Sequence, residues 1–264
     1  MTKKTLAWLV VMVWAFALRS EAALVIEPAY VTMDLNQDRN SGAFIIKNTS
    51  DQEERYRAKA VHFVVPENGG LAEVPANEYS LANWVKFNPK EFVLPPNSSR
   101  MVRFSIIPDT KLKNREYWGA IEFTPLQVAH VTSKDEKGRT FNLQVSNVIL
   151  VPIYGFGKGI PYSGQVKEIS VKREKDILRA IVKLENTGEG NLRFDGDLKI
   201  IDARGQMLEE VPLQKIIVFT KNSRILKIKL SKVADPGNYI ARINFKSSEE
   251  HSKAGIAYEA KFTL

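Results

Sequence analysis

Apolar residues recur at every second position through most of this chain. Over residues 24–124 the spacing of three and four that marks an amphipathic helix never persists for a dozen residues. Alternation of that kind confines the chain to strands. Residues 43–47 form one, closed by the turn former Asn48-Thr49-Ser50; residues 101–107 alternate again, and residues 117–124 carry Trp118, Ala120 and Phe123. Short strands separated by turn signals predict a β-sandwich. Residues 24–35 alternate loosely around Pro28 and suit a single first strand at a sheet edge.

The second half repeats the scheme. Leu178, Ala180, Val182 and Leu184 share one strand face, and Tyr239, Ala241, Ile243 and Phe245 share another after the turn Asp235-Pro236-Gly237-Asn238. Ile256, Tyr258, Ala260, Phe262 and Leu264 close the chain. About seven strands in about 100 residues is the immunoglobulin-like count. The halves also look like distant copies. Phe44, Ile46 and Asn48-Thr49 line up with Val182, Leu184 and Asn186-Thr187, and Asn97-Ser98-Ser99-Arg100 with Asn222-Ser223-Arg224.

Between the halves, residues 141–154 alternate at first, with Phe141, Leu143 and Val145 on one face, and then run apolar on both faces from Val148 to Ile153. The first part reads as a half-buried strand and the second as a fully buried one. Together they form the last strand of a first domain. Gly155-Phe156-Gly157-Lys158-Gly159 follows as an interdomain hinge. The expected organisation is a leader at 1–22, a first immunoglobulin-like domain at 23–157 and a second immunoglobulin-like β-sandwich at 158–264.

The leader rests on Lys3 and Lys4, a thirteen-residue apolar run at 6–18, and small residues flanking Glu21 in Ser20-Glu21-Ala22. That pattern is a secretory signal peptide cleaved after Ala22, and the run falls short of the roughly 20 residues a membrane span needs. Export without a single cysteine points to a bacterial periplasm, with the cell surface as the alternative. No stable membrane insertion is expected once the leader is gone. Losing three basic residues and one acidic residue with the leader takes the net charge from +8 to +6. Residues 160–264 carry 19 basic and 14 acidic residues, scattered singly along strands. Solvated strand faces account for them better than a nucleic-acid or membrane patch.

Chemistry for catalysis is missing. His62, His130 and His251 lie in separate regions without ligand spacing, and Asp195-Gly196-Asp197 lacks the remaining oxygen ligands of a calcium loop. There is no nucleophile elbow, phosphate loop or dinucleotide fingerprint. Trp84 and Trp118 read as core aromatics. No enzyme activity, cofactor or metal is expected.

The order of features resembles the periplasmic pilus (fimbrial) assembly chaperones, the PapD-like family. The resemblance lies in Phe87-Asn88-Pro89-Lys90-Glu91-Phe92-Val93-Leu94-Pro95-Pro96-Asn97 followed by Arg100-Met101-Val102-Arg103, in Leu112-Lys113-Asn114-Arg115-Glu116 with Thr124-Pro125, and in the polar loop at 128–139 ahead of Phe141. It implies a chaperone that caps secreted β-rich subunits by lending its last first-domain strand, with an outer-membrane usher as a further partner. Phe141, Leu143 and Val145 are then the donor side chains. Packing of the same three into the domain's own core is the alternative, as is a structural or adhesive role for the whole protein. The resemblance also implies a first-strand arginine and a last-strand lysine that anchor a client's C-terminal carboxylate. This chain has Ala29-Tyr30-Val31 at the first place and no basic residue in 148–153 at the second.

Overall fold

The computed structural model describes residues 24–127, 129–134, 139–233, 235–248 and 255–264, with the backbone alone at 129–134 and 141–145. The leader at 1–22 and His251 lie outside the described residues. Among those described there is no helix, and the chain folds as two β-sandwiches in tandem.

The first contains β1 (Leu24–Glu27), β2 (Val31–Asp34), β3 (Ser41–Asn48), β4 (Glu54–Val64), β5 (Ala72–Val74), β6 (Val85–Asn88), β7 (Glu91–Leu94), β8 (Ser99–Ile106), β9 (Glu116–Pro125), β10 (Ala129–Lys134), β11 (Thr140–Val145) and β12 (Ile149–Phe156). The second contains β13 (Gly164–Glu174), β14 (Ile177–Asn186), β15 (Leu192–Asp202), β16 (Met207–Val218), β17 (Ser223–Leu230), β18 (Asn238–Ser247) and β19 (Gly255–Thr263).

In the first sandwich the sheet β1-β3-β8-β6 faces β2-β12-β9-β4-β5, with β7 also paired to β4. Alternation puts Phe44, Ile46, Val102 and Phe104 from one sheet against Ile121, Phe123, Val151 and Ile153 from the other, all buried. Side chains of this size each contribute roughly 1.5–3 kcal/mol on burial, which holds the sheets together. In the second sandwich β13-β14-β17 faces β16-β15-β18-β19, with Ala180, Val182, Leu198, Ile200, Ala241 and Ile243 inaccessible.

The expected single strand at 24–35 is two. β1 pairs with β3, whereas β2 pairs in parallel with β12 in the opposite sheet. Pro28 stands at the crossing, where its missing N–H would have broken a continued ladder.

The repeat between the halves is physical. Asn48 Nδ2 donates to the carbonyls of Gln52 (2.7 Å) and Leu94 (3.1 Å) while its Oδ1 accepts the Ser50 N–H (2.9 Å). Asn186 Nδ2 donates to Gly190 (2.9 Å) and Val218 (2.8 Å) while its Oδ1 accepts the Gly188 N–H (2.9 Å). Each amide therefore closes the end of a strand by satisfying buried backbone groups that no ladder reaches. The Asn48 N–H bonds the Ser98 carbonyl and the Asn186 N–H that of Asn222, so the neighbouring strands align as well.

The glycines expected to form a hinge serve close packing instead. A Cβ at Gly155 would lie 2.7 Å from Leu35 Cδ1, and one at Gly157 would lie 2.2 Å from the Lys113 carbonyl oxygen. Gly157 also donates its N–H to the Arg115 carbonyl at 3.0 Å. Of this cluster, Gly159, with φ +57°, is the residue in a turn conformation that favours glycine.

Candidate functional site

The stretch singled out in the sequence divides in two. β9 and β12 form an antiparallel hairpin whose outermost pair is Phe123 with Ile149. Beyond it the chain pairs again as β10 and β11, from Ala129 with Val145 to Lys134 with Thr140. Five residues intervene on one side and three on the other, so the ladder is interrupted before the hairpin resumes. Val148 lies in this break and is 45% exposed, contrary to the expectation of a buried run from 148. It has left one ladder and not yet joined the next. Ile149 and Leu150 are half-buried, and full burial begins at Val151.

Phe141, Leu143 and Val145 stand in β11 opposite Ser133, Val131 and Ala129, at alternate positions and hence on one face of the hairpin. Their side chains lie outside the described residues. Among the described strands β11 pairs only with β10. The edge of β12 away from β9 is taken by β2 only from Ile153 onwards, where Ile153 faces Val31 and Phe156 faces Asp34. Residues 140–145 and 149–152 therefore present a backbone edge with no strand partner among the described residues. Such an edge is a template for a further strand.

At its inner end the edge runs into a cleft of about 530 Å³ between the sandwiches. Ala29, Tyr30, Pro152 and Tyr154 line it from the first, with Tyr30 59% exposed and set edge-on to Tyr154. Arg193, Lys215 and Ile216 line it from the second. The two backbone places where the resemblance implies cations carry none, and the cations of this cleft come from the other sandwich. Arg193 lies over the Tyr154 ring at 4.4 Å and is committed to Glu116. Lys215 is presented by a β-bulge: Phe194 pairs with Ile216 and Gly196 with Leu213, so Asp195 faces two residues. Lys215 takes φ +55°, and its N–H bonds Asp195 Oδ1 at 2.8 Å. A bulge re-aims a side chain in this way.

The two sandwiches are joined beside the cleft. Phe219 packs against Phe63 and Trp118 with ring centroids 5.6 and 5.1 Å apart, and Trp118 Nε1 donates to the Phe63 carbonyl at 2.7 Å. As expected, Trp118 is a core aromatic, yet the core is the one between sandwiches. Arg115 lies over the Tyr79 ring at 4.4 Å and bridges Glu78 (2.6 Å) and Glu189 (3.4 Å). Tyr79 donates to Glu189 at 3.1 Å. Burial, with that acceptor's charge, pushes the Tyr79 phenol up to about 12. Burial works against the Glu189 carboxylate, but hydrogen bonds from Lys221 and Tyr79 outweigh it and hold the group below its ordinary value. The role of Arg115-Glu116 in the joint is not legible in the sequence, because the partners on the second sandwich, Glu189, Asn191 and Arg193, lie more than 70 residues away.

Among the described residues no group of three or more His, Cys, Asp or Glu side chains could hold a metal ion, and no helix is long and apolar enough to cross a membrane.

No family model matches the chain, and no curated protein matches it in sequence. Solved structures similar to it are fimbrial chaperones. They include the CsuC–CsuE chaperone–tip adhesion subunit pre-assembly complex from archaic chaperone-usher Csu pili of Acinetobacter baumannii, at 14% identity over 89% of this chain and 98% of that one, with a TM-score of 0.49. The class 5 fimbriae chaperone CfaA matches at 13% identity over 89% and 98%, with a TM-score of 0.48. The YadV chaperone matches at 12% identity over 91% and 100%, with a TM-score of 0.48.

Proposed function

We propose that this protein is a periplasmic chaperone that binds secreted β-rich subunits, of the kind that build pili or other surface fibres, by lending them a strand. The observation that carries the reading is the open backbone edge of residues 140–145 and 149–152, running from the β10–β11 hairpin to the interdomain cleft. An incomplete subunit exposes the complementary lack: an unpaired edge and an apolar groove. Pairing satisfies both backbones, and alternate side chains fill the groove. Phe141, Leu143 and Val145 are the side chains proposed for that task, each able to bury roughly 1.5–3 kcal/mol worth of apolar surface.

Contacts that join the two sandwiches support the reading. The polar joint at Arg115 and Glu116 and the aromatic joint at Trp118 and Phe219 hold the cleft at the end of the donor edge.

The test is capture of secreted subunits from periplasmic extract by the intact protein and by Leu143→Ala and Val145→Ala variants, with melting temperature measured alongside. Capture reduced about tenfold or more per site at unchanged melting temperature is expected. Equal loss of capture and melting temperature would assign the three side chains to the domain's own core and sink the reading.

A further inference from the structure

The excess charge of the second half looks scattered in sequence, but strand register gathers it. On the outer face of the sheet β13-β14-β17, Lys172 stands opposite Arg179, and Arg179 opposite Lys229, so three cations form one row across three strands. In the next row Ser170 faces Ile181, and Ile181 faces Lys227. Lys172, Lys227 and Lys229 are exposed and, among the described residues, have no ion-pair partner; Arg179 has Glu174 at 3.5 Å. Lys232, just beyond β17, is exposed at the same end of the sandwich, while in the turn after β13 Lys175 and Asp176 are both exposed and balance each other.

One row nearer the first sandwich the balance returns. Glu168 faces Lys183, and Lys183 is held at 2.8 Å by Glu67 of the first sandwich. On this face the unpaired cations Lys172, Lys227 and Lys229 therefore lie towards the end of the second sandwich away from the cleft. Like charges directly opposite on a sheet destabilise it. Strands about 4.8 Å apart and alternate residues about 7 Å apart place the four cations of the two rows within about a Debye length of one another, so their potentials add.

We propose that this face is a docking surface for an anionic lipid bilayer. Its shape fits a plane: cations project from one side of an open sheet, and the largest apolar side chain between them, Ile181, is half-buried. Its composition fits a diffuse charge. Lysine, a hydrated point charge on a flexible stem, outnumbers arginine, whose planar fork suits discrete carboxylate or phosphate recognition. A protein partner of ordinary affinity would instead call for aromatic or arginine anchors in a desolvated centre. Docking here would hold the protein at a membrane surface by the end of the second sandwich away from the cleft. This goes beyond strand donation and stands independently of it.

The intact protein is sedimented with vesicles of one-third phosphatidylglycerol in phosphatidylcholine, and with pure phosphatidylcholine, at low and at half-molar salt. Binding to the anionic vesicles at low salt, lost at high salt, is expected. Replacing Lys227→Gln and Lys229→Gln together should lower the partition coefficient about 30-fold. Lys172→Gln alone should lower it about fivefold. Lys47→Gln with Lys86→Gln, on the first sandwich, should leave it unchanged, as should Leu143→Ala. Each of the following would overturn the proposal: no sedimentation with anionic vesicles at low salt; equal sedimentation with pure phosphatidylcholine; a double variant of unchanged melting temperature that binds like the parent; or lysine-dependent binding of duplex DNA or an acidic protein without vesicle binding.

Discussion

The Glu116 carboxylate, wholly shielded from solvent, accepts both terminal nitrogens of Arg193, at 2.6 Å and 3.3 Å, across the junction of the two sandwiches. It also takes the backbone N–H and side-chain amide of Asn191 at 2.8 and 3.0 Å. Four donors around one carboxylate satisfy its lone pairs, the condition under which a buried charge is tolerated.

Replacement Glu116→Ala takes from the Arg193 guanidinium its carboxylate partner and from the buried Asn191 groups their acceptor. A loss of about 3–5 kcal/mol in urea unfolding is expected. Because the joint couples the sandwiches, the variant should also unfold in two steps rather than one. A single transition within 1 kcal/mol of the parent would show that the aromatic joint alone sets the domain arrangement.

The paired asparagines make a second prediction. Asn48→Ala and Asn186→Ala each strand buried carbonyls at a strand end and should each cost about 1–3 kcal/mol. The two costs should be alike, since the bonding repeats from one sandwich to the other. A large cost at one site and none at the other would mean that the resemblance of geometry carries no common energetic role.

What could be read from the sequence followed from local period. Alternation marked the strands of both sandwiches, and Asn48 and Asn186 stood out because each ends an alternating run. The rest depends on pairing between distant segments. Arg115-Glu116 looked like part of a signature, but its partners Glu189, Asn191 and Arg193 are on the other sandwich. Lys172, Arg179 and Lys229 become neighbours only through register. Val148 looked buried because it opens an apolar run, yet the run begins in a break between two ladders. The cleft cations are hidden in the sequence for a related reason: Lys215 reaches the cleft through a bulge in β16, and a bulge leaves little trace in an alternation pattern.

Acid should weaken the fold in two stages. His62 is 2% exposed, its Nδ1 donates to the Trp118 carbonyl at 3.2 Å, and Nε2 is buried without a partner. Burial lowers its pKa below 6.5, only partly offset by that hydrogen bond. The unfolded chain thus binds the proton first, and stability falls as pH drops below about 6.5 towards the lowered value, then levels. Glu189, held below its ordinary 4.5, adds its contribution above that value and loses it as pH falls through the depressed one. Melting temperature measured from pH 7.5 to 3.5 should show both declines, and His62→Gln should remove the first. Persistence of the upper decline in that variant would exclude His62 as its source.

Lys215 offers the sharpest separation of stability from client binding, on the reading that a donated strand ends at the cleft. Its side chain is exposed, so Lys215→Ala removes a charge without opening a core. Its backbone sits at φ +55°, where a Cβ is costly and glycine is not. Lys215→Gly should therefore unfold at equal or higher denaturant, gaining up to about 1 kcal/mol from relieved strain. If Lys215 bonds a carboxylate of the captured chain, the same variant should bind client about tenfold or more weakly, the worth of a charge-assisted hydrogen bond. Lys215→Arg should keep most of the binding. Capture by the glycine variant at parental affinity would assign the bulge to strand geometry alone, with client contact confined to the open edge of β11 and β12.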